Sequence, residues 1–499
     1  QRRLARFGAA SAELLVETGL GFEAAGMYES ANDVYALLLR RFPMRTVVGP
    51  DGASAPSESF VAARRAAGPF QAAFAERPAS ASLGAQTAWS EQGGDEGVRL
   101  VTPAGRRPPS ADAAILVLAE DELRALALDD GRRLWRRAAS ALPTSPRWRD
   151  GMLVGVFGEE LAALDAGSGA ERWRRPLEGA RAIALEAAHG KAYLVVHVPA
   201  GRGLVLRAYD LASGDLLREQ RLIAGPGGDA VAGEASLSAG PLHLMVRHPG
   251  DRCSVLDGFT GAEVMPPSTL RATPFLPVLT PDGLIVTAAA ASSQKNRELK
   301  LSARRPGETQ ELWTWRAERV VSVNAHAAPA PGVLLLTLDR EAAPDRRERE
   351  IALIDLARGA SLLSKRLAPG EFIQGAKLVD GRLLLNMRKS SGSLFVRAFD
   401  VDKDELRWES VASAGRNPRL TTFPAGAYVV TRFSAEPLGG SARGPAHRQD
   451  VVRLLDVRTG KVVDEFPIEA SSGVFDGADT EVREGRLVLE TASGVEVRR

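Results

Sequence analysis

Cysteine is almost missing from this 499-residue chain, Cys253 being the single one. No intramolecular disulfide, CxxC zinc or redox pair, or CxxCH haem attachment can therefore be built. Aromatic residues amount to 6% and are evenly spread, which leaves no platform on which nucleic-acid bases would stack. No apolar run reaches the ~18 residues needed to cross a bilayer. Charge of one sign is also lacking: 64 Lys and Arg face 62 Asp and Glu, for a net charge of +2. Only eight of the basic residues are lysine, and with abundant Ala and Gly this arginine bias reads as a GC-rich coding habit rather than selection for a polyanion. In residues 345–350 the basic Arg346, Arg347 and Arg349 are interleaved with Asp345, Glu348 and Glu350, the pattern of a solvated loop. Nucleic acid is thereby excluded as a partner.

What is present is a chain 44% apolar, long enough for one large repeat assembly plus a smaller element. It opens on Gln1 and reads as a piece of a longer protein, in which a signal peptide, lipid anchor or catalytic domain could precede it. Contact with a membrane is expected only through such upstream sequence or a partner.

Residues 1–45 repeat their apolar positions at three and four (Leu14, Leu15, Phe22, Ala31, Val34, Tyr35, Leu38, Leu39), which predicts two helices with a break near Gly26 and a stop after Arg40, Arg41 and Pro43. The spacing Leu15, Gly19, Phe22, Gly26, Ala31, Tyr35, Leu38, Pro43 resembles one tetratricopeptide repeat. One such pair cannot bury both faces alone, so either further repeats precede it or it docks on the rest of the chain. Residues 46–96, rich in Pro, Gly and Ser, are expected to be a linker with one short helix between Phe60 and Phe74.

From residue 97 to 499 the pattern becomes short β-type runs separated by Gly, Pro and Asp. A strand ending in Asp, then a turn Gly and a following strand, recurs at Asp165 and Gly169, Asp210 and Gly214, Asp257 and Gly261, Asp355 and Gly359, and Asp456 and Gly460. Asp400 begins another copy, in which Asp404 stands where Gly is expected. Two weaker copies centre on Gly131 and Gly307, and the spacing from copy to copy is 38 to 56 residues. The chemistry is that of a hairpin: Asp accepts backbone N–H bonds across the turn, and Gly takes a positive φ. Trp135, Trp173 and Trp408 then stand on the next strand, ready to pack on a neighbouring unit. Apolar runs after a Gly, at residues 151–157, 283–287, 332–336, 381–385 and 426–430, suit buried inner strands.

This arrangement resembles the PQQ-like (quinoprotein) β-propeller repeats, whose consensus is Ala-x-Asp-x-x-Thr-Gly-x-x-x-Trp; the resemblance covers about four hundred residues. Arg218, Met265, Leu363 and Asp464 replace the consensus Trp in other copies. The expected fold is mainly β, an eight-bladed propeller of four antiparallel strands per blade with a small N-terminal helical segment. The terminal pair near 485–497 would close the ring with a strand near Val98 to Val101.

The resemblance implies PQQ with calcium only for the quinoprotein dehydrogenases, whose alcohol-oxidising branch has a vicinal disulfide that one cysteine cannot form. The repeated carboxylates read as turn residues, so no catalytic residue and no metal ligand are assigned, and no cofactor is expected. His189, His197, His243, His248, His326 and His447 show no metal-binding spacing and read as ordinary strand or loop residues; the Gly-rich run 225–228 and the Ser-Gly runs 390–393 and 471–473 read as connections. The reading that follows is a non-catalytic, protein-binding scaffold. Its resemblance to outer-membrane assembly lipoproteins implies a bacterial source and a periplasmic or cell-envelope location. The alternatives are a PQQ- and calcium-dependent oxidoreductase, or the ligand-sensing domain of a larger receptor or kinase.

Overall fold

The computed structural model describes residues 11–74, 86–92, 98–108, 111, 114–139, 143–198, 203–222, 235–248, 252–271, 277–293, 296–326, 330–343, 346–414, 420–425, 427–435, 449–469, 480–483, 486–491 and 494–498. The runs 225–228 and 471–473, Gly426, His447 and Gly485 lie outside the described residues.

Nine four-stranded antiparallel sheets follow one another around a β-propeller, one more blade than the repeat predicts. The strand sets begin at Val98, Thr144, Arg181, Ser236, Val278, Val320, Glu371 and Leu420 for blades one to eight. First strands of neighbouring blades touch one another around the axis, as Thr144–Arg149 touches Arg181–Ala188. Second strands carry the apolar runs: Met152–Phe157 is buried at every position. Between blades the cores are shared, Leu123, Ala125 and Trp135 of blade one packing with Leu153, Ala162 and Leu164 of blade two.

The ninth blade explains the miscount. Its strands Thr480–Arg483, Arg486–Thr491 and Gly494–Arg498 are completed by Thr87–Gln92 on the outer edge. The third and fourth strands of this blade come from distant parts of the chain, so no hairpin joins them and no Asp-Gly turn exists to be counted. Thr87–Gln92 is the closing strand, and Val98–Val101 is instead the first strand of blade one. Residues 346–350 are also not a loop, Asp345 lying outside the described residues: Arg346–Asp355 is the third strand of blade six. Its alternating charges pair across strands, Arg349 with Asp339 at 2.7 Å and Arg340 with Glu350 at 2.9 Å.

Two helices, α1 (Ala12–Ala24) and α2 (Tyr28–Arg41), form the N-terminal hairpin. Ser11 caps α1 through a 3.1 Å bond to the Leu14 amide. Gly19 lets the helices close, since a Cβ there would lie 2.3 Å from the Tyr35 ring. The hairpin docks. One core joins Leu15, Tyr35 and Leu38 of the helices to Phe60 and Phe70 and, on the propeller side, to Leu177, Leu211, Leu242 and Phe259. Phe60 belongs to α3 (Ser57–Ala66) and Phe70 to α4 (Gly68–Phe74), which follow a short strand pair, Thr46–Val48 with Ser54–Pro56.

Candidate functional site

The repeated aspartates end the third strands of their blades and close the turns that follow. Asp165, Asp257 and Asp456 accept from the amides of Ser168 at 3.0 Å, Thr260 at 2.8 Å and Thr459 at 2.8 Å. Asp210, Asp355 and Asp400 accept in the same way from Ser213, Ala357 and Lys403. The Thr459 hydroxyl and amide hold the Asp456 carboxyl below its usual range. Strung around the ring, these carboxylates do not converge on one point.

The turn glycines have a second role. A tryptophan from the preceding blade lies over Gly131 (Trp89), Gly169 (Trp135), Gly214 (Trp173), Gly359 (Trp313) and Gly460 (Trp408), where a Cβ would come within 2.7 Å of the ring. Four of the indole N–H groups donate to the carbonyl of the residue after the motif Asp or its equivalent: Trp89 to Leu128 at 3.0 Å, Trp135 to Ala166 at 3.4 Å, Trp173 to Leu211 at 2.7 Å and Trp408 to Val457 at 3.0 Å. At Gly261 the Arg218 chain takes this position. Trp89 escaped the repeat pattern, and Trp313 ends the weaker copy at Gly307 out of register with the other tryptophans. Trp313 lies six residues past Gly307 rather than four, and Trp89 precedes the first copy.

A cavity of about 610 Å³ opens at the axis between the first-strand ends of blades two to six, with α2 along one side. Its charged lining is Glu29, Asp33, Arg106, Arg147, Arg149 and Glu186. Here the propeller caps a helix. Met27 offers α2 no side-chain cap, and Asp150, at the turn between the first two strands of blade two, accepts from the Glu29 and Ser30 amides at 2.8 and 3.1 Å. Arg149 pairs with Asp33 and, at 3.3 Å, with Glu29; Asp33 also accepts from the His189 amide at 3.0 Å. With Asp150 3.5 Å from Arg149, three carboxyls thus share one largely buried guanidinium. Burial, against the attraction of Arg149 and with the help of the Asp150 charge, pushes the Glu29 carboxyl up to about 7. His189, fully buried, has its Nε2 2.8 Å from the Gly240 carbonyl, and burial followed by the charge of Lys191 lowers its imidazole to about 3.

A calcium-bound quinone would call for several free carboxylate and carbonyl oxygens around the metal. The carboxylates at this mouth are engaged instead: Glu29 and Asp33 with Arg149, and Glu186 with Arg147 at 3.5 Å. Among the described residues no three His, Cys, Asp or Glu side chains form a group that could hold a metal ion. The donor set here does not fit that group, and no step is derived through it.

The outer strands present a different surface. On blade seven (Glu405–Ala414) Leu406 and Val411 are 50% and 62% exposed, and on blade eight (Val462–Glu469) Val462 and Val463 are 50% and 54% exposed. These are edge strands whose outward backbone groups have no further strand beside them.

Residues 80–248 match the family model described as outer membrane protein assembly factor BamB. The match takes in the closing strand, the first three blades and half of the fourth. A search of curated protein sequences finds no match. Among solved structures, BamB from Moraxella catarrhalis is 16% identical with a TM-score of 0.40, over 83% of this chain and 96% of that one. The dihydro-heme d1 dehydrogenase NirN is 13% identical with a TM-score of 0.41, over 89% and 91%. A europium-containing methanol dehydrogenase is 13% identical with a TM-score of 0.37, over 70% and 84%. None of the three reaches 0.5, and none bears on what this chain binds.

Proposed function

We propose that this protein is a non-catalytic scaffold of the bacterial cell envelope that holds other proteins against the outer edges of its propeller. The observation that carries this reading is the row of exposed Leu406, Val411, Val462 and Val463 on two adjacent edge strands. Apolar side chains at such positions add nothing to the core, and an open strand edge takes an added strand from a partner. The match of residues 80–248 to an outer-membrane assembly factor supports both the kind of partner and the location.

The test is affinity capture from the envelope fraction of the source organism, with the whole chain and with Leu406→Glu and Val463→Glu. A partner held by the native chain and lost from both variants, with their melting temperatures unchanged, is the expected result. Equal retention by all three would remove the edge strands from the interface.

A further inference from the structure

One blade interface is built for an indole and has none. In four of the five blades that carry a girdle tryptophan, the residue paired with it on the third strand is Ala: Ala125 with Trp135, Ala163 with Trp173, Ala303 with Trp313 and Ala398 with Trp408, whereas in blade nine Trp89 is paired with Val497. Where the tryptophan is replaced, the pairing residue is larger than Ala: Val255 with Met265, Leu353 with Leu363 and Leu454 with Asp464. Blade three breaks the correlation. It keeps the small Ala208 but pairs it with Arg218, and between blades three and four there is a cavity of about 280 Å³ walled by Leu206, Ala208 and Leu256. An apolar cavity of ~150 Å³ is enough to take up benzene.

The polar fittings of the gap are also those of an aromatic site. The carbonyl of Gly258, the counterpart of those that accept from the indoles, is met at 2.8 Å by Lys191 Nζ and also by the Tyr193 hydroxyl. The polar end of the missing indole is thus replaced, and over Gly261, where its ring would lie, there is only the flexible Arg218 chain. Gln220 lines the same cavity, and its buried Oε1 has no hydrogen-bond partner among the described residues, an unsatisfied acceptor that favours an arriving donor. At the mouth the exposed Arg218 donates one 3.3 Å bond to the Thr260 carbonyl and makes no ion pair among the described residues. It is placed to cover a ring and to meet an anionic substituent.

We propose that this gap is a binding site for a small planar aromatic acid with a ring N–H, the ring lodged between Leu206, Ala208 and Leu256, the N–H given to Gln220 and the carboxylate to Arg218. The site is separate from the axial mouth and from the outer strands of blades seven and eight.

The experiment is ligand-detected NMR and titration calorimetry on the whole chain with indole-3-carboxylate, with indole as the neutral probe and a short tryptophan-bearing peptide as a third. Arg218→Trp restores the girdle residue and fills the cavity with the chain's own ring. The expected result is saturable binding of indole-3-carboxylate, at least about tenfold weaker binding of indole, and loss of both in Arg218→Trp with the melting temperature unchanged or raised. Gln220→Leu should weaken the acid about tenfold while leaving the fold intact. Equal binding by native chain and Arg218→Trp would overturn the assignment, as would no saturation by the free acid or binding confined to the peptide.

Discussion

Two glycines with the same backbone conformation should differ sharply in what alanine does to them. Gly214 and Gly179 have φ of +71° and +75°, so a Cβ at either costs about 1–2 kcal/mol for occupying the left-handed region. At Gly179 nothing lies within 4 Å of the new Cβ, whereas at Gly214 it would sit 2.6 Å from Trp173 Cδ2. The indole cannot retreat cheaply, because its N–H is fixed to the Leu211 carbonyl at 2.7 Å and its ring is buried in the core shared by blades two and three. Overpacking of this kind adds about 1–3 kcal/mol. Gly214→Ala should therefore cost about 2–5 kcal/mol, and Gly179→Ala only the left-handed part. Urea unfolding followed by circular dichroism measures both, with midpoint and slope reported separately so that a change in cooperativity is not mistaken for one in stability. In the background of Trp173→Ala the extra cost at Gly214 should vanish, giving a coupling of at least about 1 kcal/mol. If the two alanine variants agree within about 0.5 kcal/mol, the stacking of tryptophan on glycine does not constrain the blade interface and the reasoning fails.

Glu29 holds its proton more tightly when folded, its carboxyl lying near 7 against an ordinary 4.5. The stability it confers is complete below about pH 4.5 and is lost as pH rises through 7, up to about 3 kcal/mol. Glu29→Gln should flatten the stability profile over this window, and an unchanged slope would place the titration elsewhere. The fully buried pair of Arg432 and Asp450, 2.9 Å apart, is braced by a 3.2 Å bond from Arg432 to the Thr480 hydroxyl of blade nine. Asp450→Ala leaves a guanidinium without its carboxylate and should lower unfolding stability by about 3–5 kcal/mol; a loss under about 1 kcal/mol in a urea titration would contradict it.

The turn motif was legible because its chemistry is local: Asp, Gly or both stand at fixed offsets where a hairpin closes, and each of the eight hairpins left its mark in the sequence. The ninth blade left only the terminal strand pair near 485–497 and no turn motif, since its outer strand is joined to the rest of the sheet only through space. Trp313 was displaced from the consensus spacing by a longer turn, and Trp89 stands ahead of the first repeat; what links them to the girdle is their seat over Gly359 and Gly131, a relation across blades that no short window contains. The alternating charges at 346–350 hid a strand because cross-strand ion pairs took the place of an apolar face. The contact between helix and propeller was the least legible feature. Arg149 and Asp150 look like any polar turn, and the one available signal was that α2 begins at Met27 without a capping side chain of its own.

That contact decides how the protein can be dissected. The helix pair cannot bury both of its faces alone, and the propeller supplies the cap, the counter-charge and part of the core that it lacks. Removing the pair would strip Leu177, Leu211, Leu242 and Phe259 of cover on one face of blades two to four and leave Arg149 without Glu29 and Asp33. A version starting near residue 97 would do further damage, because it would delete Thr87–Gln92, open the ninth blade along Gly494–Arg498 and remove Trp89 from Gly131. An exposed strand edge invites pairing with other chains, so partners captured by such a truncation would report the new edge rather than the native surface. Point substitutions on the outer strands keep both the ring and the helix dock intact, and they are the perturbations from which a partner's position can be read.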